Sequence, residues 1–335
     1  MATFRQIIGH EQPLRVLQGA LAAGRLHHSL LFSGPDAVGK RTAALALAAA
    51  LNCLRPADND ACGECAACQR IEKGSHPDVS FVTLEKTVIP IDTIRKVRQE
   101  ASYLPYEGHR RVFIVDPADR MSIDAQNALL KTLEEPPPSS VLVLVTARPM
   151  HLLPTTRSRC QQVSFGTLAP VVIAPHLERS RGLGAKEALR AARLSGGRPG
   201  AAMTLDLDAH DAARAGILSA LEHLGKTRAR EAALEDIACF GDDTPSISAS
   251  LSLLDGLVRD MLILRAGGDT ALLIHADMAS ELKTLASRLS PLTMAARVEV
   301  AREDLERNVN RKLLLETLLF DLAPARPAAG PATRP

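Results

Sequence analysis

The string GPDAVGK, Gly34 to Lys40, has the G-x-x-x-x-G-K spacing of a loop that wraps phosphate. Gly34 and Gly39 would let backbone amides curl around an anion. Lys40 would reach the terminal phosphates, and the N-terminus of a following helix would add positive potential. The next residue is Arg41, where a nucleotide hydrolase needs a Ser or Thr hydroxyl for its magnesium ion, and Thr42 stands one place out of register. A second acidic motif, VFIVDPADR, puts Asp116 at a strand end suited to hold magnesium through an outer shell. Hydrolases commonly follow that Asp with a Glu that polarises water. Here Pro117 follows, with no side chain to act as a base, and Asp119 lies further along. Two hydrolytic motifs each lack a chemical group, so the expectation is ATP bound without efficient hydrolysis, or not bound at all.

Cys53, Cys62, Cys65 and Cys68 are spaced C-x8-C-x2-C-x2-C. In a reducing compartment such a cluster holds metal rather than disulfides. Four thiolates suit tetrahedral zinc in a closed, structural site. An iron–sulfur cluster is the rival, since C-x2-C-x2-C also opens a ferredoxin pattern, but no Cys-Pro follows. Cys160 and Cys239 stand apart and read as small buried side chains. SHPD, Ser75 to Asp78, reads as a structural turn rather than a catalytic histidine site.

These groups need elements to carry them. HSLLFS, DVSFVTL, RVFIVD, VLVLVTA and QQVSF are apolar, β-rich runs, and helical patterns separate the first four. Such alternation predicts an α/β fold with a parallel sheet covered on both faces. The helix after Ser122 has an N-cap residue and ends before Pro136, with Ala125, Ala128, Leu129 and Leu133 on one face. Past Gly166 the strand signal fades. A short helical segment from about Ala185 leads to the Gly/Pro cluster SGGRPG, which reads as a hinge, and 208–322 reads as a helical bundle. The Pro/Ala-rich 323–335 is expected to be disordered. The 335 residues carry a net charge of +2, which excludes a strongly basic nucleic-acid coat. Aromatics are 3% with no Trp, which argues against base-stacking platforms. The polar start and the short apolar run Ala43 to Leu51 point to a cytoplasmic protein without a membrane span.

The order of segments is more specific than any one of them. GRLHHSLLFSGPDAVGK, the four-cysteine insertion, GHRRVFIVDPADRMSIDAQNALLKTLEEPP and TTRSRCQQVSF together resemble the bacterial clamp-loader subunits of DNA polymerase III, members of the AAA+ group. The match runs from Phe4 to Phe165 and continues more weakly into the C-terminal helices. The altered phosphate loop and the missing Glu resemble the delta-prime branch rather than the ATP-driven gamma/tau motor.

That resemblance implies a P-loop AAA+ domain over 1–166 with a zinc module at about 53–68, a helical lid over 167–207 and an all-α collar over 208–322. It implies gamma/tau and delta subunits as partners, the sliding clamp indirectly, and primer-template DNA through the complex. Ser158, Arg159 and Cys160 match a Ser-Arg-Cys element whose arginine enters a neighbour's ATP site, where a guanidinium can stabilise transition-state charge in trans. Thr146 sits where the family senses the γ-phosphate. Arg198 lies one place before the family's second sensor, with Pro199 at the sensor position. Arg95 and Arg98, beside Lys96, fall on a helix that lines the DNA chamber and would touch phosphates without reading sequence. Two other readings fit the same motifs. One is a working clamp-loader ATPase in which Thr42 or water replaces the lost ligand, and the other is a nucleotide-binding regulator outside replication.

Overall fold

The computed structural model describes residues 3–84, 87–224, 236–307 and 309–322. They form two compact units, Met1–Thr204 and Leu205–Pro335. The segment 323–335, expected to be disordered, lies outside the described residues.

In the first unit, strands β1 (Ser29–Ser33), β2 (Val79–Val82), β3 (Arg111–Val115), β4 (Ser140–Thr146) and β5 (Gln161–Ser164) make one sheet in the order β2-β3-β4-β1-β5. Every pairing is parallel. β1 and β4 are buried along their whole length, as their unbroken apolar runs require of central strands, whereas the edge strand β5 alternates with exposed residues. Side chains one residue apart point to opposite faces. Leu30, Phe32, Val112, Ile114, Val143 and Val145 therefore pack on one side, with helices α1 (Glu11–Ala22), α2 (Lys40–Asn52) and α3 (Ala66–Glu72). Leu31, Phe113, Val115, Leu142 and Leu144 pack on the other, with α4 (Ile91–Ala101) and α5 (Ile123–Glu134).

Ser122 caps α5 as expected, its Oγ accepting from the Ala125 amide at 3.1 Å. Ala125, Leu129 and Leu133 are buried, and Ala128 is packed against the same cluster. A short helix α6 (Pro154–Arg157) precedes β5, and α7 (Pro170–Arg181), α8 (Ala185–Leu194) and α9 (Pro199–Thr204) complete the unit. Neither α1 nor α7 was expected from the sequence.

The second unit is helical among its described residues. Helices α10 (Leu207–Leu224), α11 (Thr244–Arg265), α12 (Ala279–Arg288), α13 (Pro291–Glu306) and α14 (Arg311–Leu322) enclose a core of leucines, with Ile217, Leu254, Leu257, Val258 and Met261 at its centre. One carboxylate is fully buried there. Asp260 accepts from the Ile274 and His275 amides and contacts His275 Nδ1 at 3.0 Å. These bonds fix the chain between α11 and α12, and they satisfy a charge that would be costly if left unpaired. Among the described residues no helix is long and apolar enough to cross a membrane.

Candidate functional site

A cavity of about 1010 Å³ opens in the first unit beside the carboxyl ends of β1 and β3. Open α/β sheets bind ligands at such ends. It is lined by Gly39, Lys40, Arg41, Thr42 and Asp116, so most of the phosphate-loop residues singled out from the sequence come together with the carboxylate of the second motif. Gly34 is not part of the lining. Its φ is +143°, and a Cβ there would sit 1.9 Å from the Phe165 carbonyl oxygen, so this glycine is required by the close pass of the chain after β5. Gly39, at φ +109°, immediately precedes α2.

Lys40 is only 6% exposed. Its Nζ donates to the Gly34 and Pro35 carbonyls, each at 2.6 Å. An ammonium has three donors, so two are spent on the loop itself. Burial pulls the Lys40 pKa down, and Asp36, Asp116 and Asp119 oppose that shift. Arg41 Nη1 lies 3.9 Å from Asp116 Oδ2, and its guanidinium carbon lies 5.4 Å from the centre of the Phe81 ring. Burial raises the Asp116 pKa, while Arg41 and then Lys40 hold it down.

Magnesium does not fit this arrangement. It takes oxygen ligands at about 2.0–2.1 Å in an octahedron. Here a guanidinium stands in place of the ligating hydroxyl and faces the carboxylate that would complete the site. Pro117 lines the cavity as well, with no group to activate water. Asp36, Ala37 and Val38 of the loop and Val145 and Ala147 at the end of β4 add to the wall. Arg5, Gln6, Ile7 and Ile8 contribute from the N-terminal segment, and His176, Arg179, Ser180, Pro199, Gly200 and Met203 from α7 and α9. The Gly200 amide donates to the Ala37 carbonyl at 2.8 Å, which ties α9 to the loop.

The four cysteines converge. Their sulfurs all lie within 4.8 Å of one another, with Cys53–Cys65 at 3.9 Å and Cys65–Cys68 at 3.5 Å. A tetrahedral zinc with bonds of about 2.3 Å places its sulfurs roughly 3.8 Å apart. Cys53 follows the end of α2 and Cys65 immediately precedes α3. The amides of Arg55 and Cys62 point at Cys53 Sγ, and that of Cys65 at Cys62 Sγ. N–H groups aimed at sulfur favour thiolates. The donor set therefore suits one tetrahedral ion.

Two carboxylates bind the module to its surroundings. Asp60, 1% exposed, accepts from the amides of Phe4 and Arg5, where the N-terminal part of the cavity wall begins. Asp78 accepts from the amides of Tyr106, Glu107 and Gly108, and Glu107 in turn pairs with Arg70 of α3 at 2.6 Å. His76 Nδ1 accepts from the Asp78 amide at 3.1 Å. SHPD is thus the structural turn expected of it.

The remaining candidates lie apart from the cavity lining. Thr146 is buried, donates to Asp119 Oδ1 at 2.6 Å and accepts from the Arg148 amide, so it closes the end of β4. Arg198 Nε donates to the Ser195 carbonyl. Pro199, one residue on, reaches the cavity instead. Arg159 stands before β5 with its side chain 36% exposed, pairing with Glu134 at 2.6 Å and donating to the Thr155 carbonyl at 3.0 Å. Beside it Cys160 is buried, which pushes its thiol up to about 12 and leaves it an inert packing group. Arg95 is exposed and pairs with Asp92 one turn back, and Arg98 is half-buried.

A family model described as "DNA polymerase III, delta subunit" matches residues 9–169, and one described as "DNA polymerase III, delta subunit, C terminal" matches 209–323. The chain is also 30% identical over 323 residues to the delta' subunit of DNA polymerase III from Bacillus subtilis (strain 168), covering 92% of this chain and 94% of that one. The chain belongs to the delta-prime family of DNA polymerase III subunits.

Other relatives match over shorter stretches. The delta' subunit of Pseudomonas aeruginosa is 44% identical over 137 residues, 40% of this chain and 42% of that one. The tau subunit of Bacillus subtilis is 36% identical over 176 residues, 52% of this chain and 31% of tau. The likeness to tau is therefore confined to about half of this delta-prime chain. Sequence reasoning missed Arg5, Ile7, Ile8, His176 and Arg179 of the delta-prime cavity wall. Pro175 inside α7 disguised the helix that carries His176 and Arg179, and no motif marks QII at 6–8.

Proposed function

We propose that this chain works as the delta-prime subunit of a DNA polymerase III clamp loader, a stator that hydrolyses little or no ATP itself and helps place the sliding clamp on primed DNA. The observation that carries the reading is the cavity wall. Arg41 and Pro117 stand where a hydrolase keeps its metal-binding hydroxyl and its base, on a chain otherwise built like a nucleotidase.

In this reading Arg159 is the working group. It lies outside the cavity of its own chain, is partly exposed, and is held by one carboxylate and one carbonyl. A neighbouring gamma/tau subunit would receive it at its ATP site, where a permanently charged fork stabilises the phosphate oxygens as bonds break. The four cysteines would hold a structural zinc ion. Arg95 and Arg98 would contact the DNA backbone, with Arg95 exchanging Asp92 for phosphate. Residues 167–207 would serve as the lid and 208–322 as the collar that assembles with gamma/tau and delta. The setting is the cytoplasm.

Assembly tests this directly. The purified chain, mixed with gamma/tau and delta subunits, should elute as one complex that loads the clamp onto primed DNA, while the isolated chain turns over no ATP. Magnesium-dependent turnover by the isolated chain, abolished in Lys40→Ala, would instead mean a working motor. Failure to join the other subunits would place the chain outside the loader.

A further inference from the structure

The misfit of magnesium leaves a question about the cavity, since a cradle for phosphate remains. We infer that it binds the phosphates of a nucleoside di- or triphosphate without a divalent cation, with Arg41 supplying the positive charge that the metal supplies elsewhere. The inference deepens the stator reading and rests on taking this cavity as a phosphate site.

The charge is in the right place. The Arg41 guanidinium lies 3.9 Å from Asp116, the carboxylate that would otherwise face the ion. That spacing is loose for an ion pair, so the guanidinium can turn part of its fork to a phosphate while still neutralising Asp116. It is also braced over Phe81, which limits the freedom it would lose on binding. Unlike a metal ion, an arginine is permanently charged and needs no free cation in solution.

After serving Gly34 and Pro35, Lys40 has one donor left, which faces Asp36 Oδ1 at a loose 3.9 Å and would turn to an anion. Arg179 also lines the cavity, and its Nε is spent on the Pro175 carbonyl. Its terminal nitrogens remain to serve a ligand. Asp36 and Asp116 are the acids of the lining, set against Lys40, Arg41 and Arg179, while Arg5 is already paired with Asp58 at 2.6 Å.

The cavity asks for more than a bare anion. At about 1010 Å³ it far exceeds one phosphate group and lies at the upper end of ordinary ligand pockets. Ile7, Ile8, Val38, Pro199 and Met203 add apolar wall for a base and sugar. No metal would position a water and no base follows Asp116, so a bound triphosphate would persist uncleaved. Such a ligand would join the N-terminal segment, the loop and α7–α9, and so stiffen the unit.

Calorimetric titration of the full chain, first stripped of bound nucleotide, decides the matter. ADP and ATP are each added in excess chelator and again in millimolar magnesium, with inorganic phosphate as a third probe. The inference expects nucleotide affinities in chelator within about threefold of those in magnesium, and much weaker binding of phosphate. Arg41→Thr should weaken chelator-phase binding by about tenfold to a hundredfold, the loss of one charge-assisted hydrogen bond, and make the remaining binding tighten with magnesium. If that variant does not fold, Arg41→Gln carries the same test. Wild-type binding that appears only with magnesium overturns the metal-free inference and leaves the cavity a nucleotide site. Phosphate binding as tightly as nucleotide overturns the nucleoside part. No binding under either condition overturns the site itself, while the stator reading still stands or falls on assembly.

Discussion

Arg159 Nη2 and Glu134 Oε1 lie 2.6 Å apart, joining the turn before β5 to the last residue of α5. Both side chains are partly exposed, 36% and 49%. Exposed pairs contribute about 0.2–1 kcal/mol, so giving up this carboxylate, as the proposed role of Arg159 requires, would cost little. Thermal melts of Arg159→Ala and Glu134→Gln should therefore stay within a few degrees of wild type. A large drop would mean that the pair is structural, and that activity lost in Arg159→Ala reflects misfolding.

The cysteine module is tied to two distant segments, to Phe4 and Arg5 through Asp60 and to the turn at Tyr106–Gly108 through Arg70, Glu107 and Asp78. Metal bound by the folded state alone is folding free energy, so its removal should be felt along both ties. Metal analysis should find one zinc per chain. Chelation should lower the melting temperature by several degrees and speed amide exchange at Phe4, Arg5, Tyr106, Glu107 and Gly108. Unchanged exchange at those amides would show that the module is an ornament to the first unit.

Asp78 supplies the pH dependence. Burial pushes its carboxyl up, but the amides of Tyr106, Glu107 and Gly108 together with Arg111 outweigh that and hold its pKa below the usual carboxylate range. A carboxylate with a depressed folded-state pKa adds stability that is fully present above its unfolded value and is lost as pH falls through the folded one. Denaturant unfolding of the wild type should therefore weaken below about pH 4. Asp78→Asn should be less stable at neutral pH and lose less on acidification. Parallel pH profiles for the two proteins would contradict this.

The sheet was legible because its central strands carry unbroken apolar runs, LLF in β1, VFIV in β3 and VLVLV in β4, and the phosphate loop and the cysteines because their residue types recur at a telling spacing. α5 announced itself through Ser122 and its apolar face. What escaped lacks a local signature. α7 contains Pro175, a residue that costs a helix interior about 3 kcal/mol when judged alone, yet Ile173, Ala174 and Leu177 are buried and packing outweighs it. Ile7 and Ile8 become cavity wall only because Asp60, more than fifty positions on, holds Phe4 and Arg5. The bonds of Thr146 to Asp119 and of Arg159 to Glu134 each join residues more than twenty positions apart, a separation that periodicity does not register.

The central claim is that this chain lends an arginine and does not spend a nucleotide. DNA-stimulated ATP hydrolysis by the assembled loader tests it, with the wild-type chain compared against Arg159→Ala and Lys40→Ala. An arginine finger accelerates hydrolysis at its own site by about 10³–10⁵-fold. Arg159→Ala should therefore silence the neighbouring site and lower total turnover sharply, while Lys40→Ala leaves turnover near wild type. The reverse pattern, with Lys40→Ala damaging and Arg159→Ala harmless, would mean that the loop hydrolyses ATP despite Arg41 and that the chain is a motor.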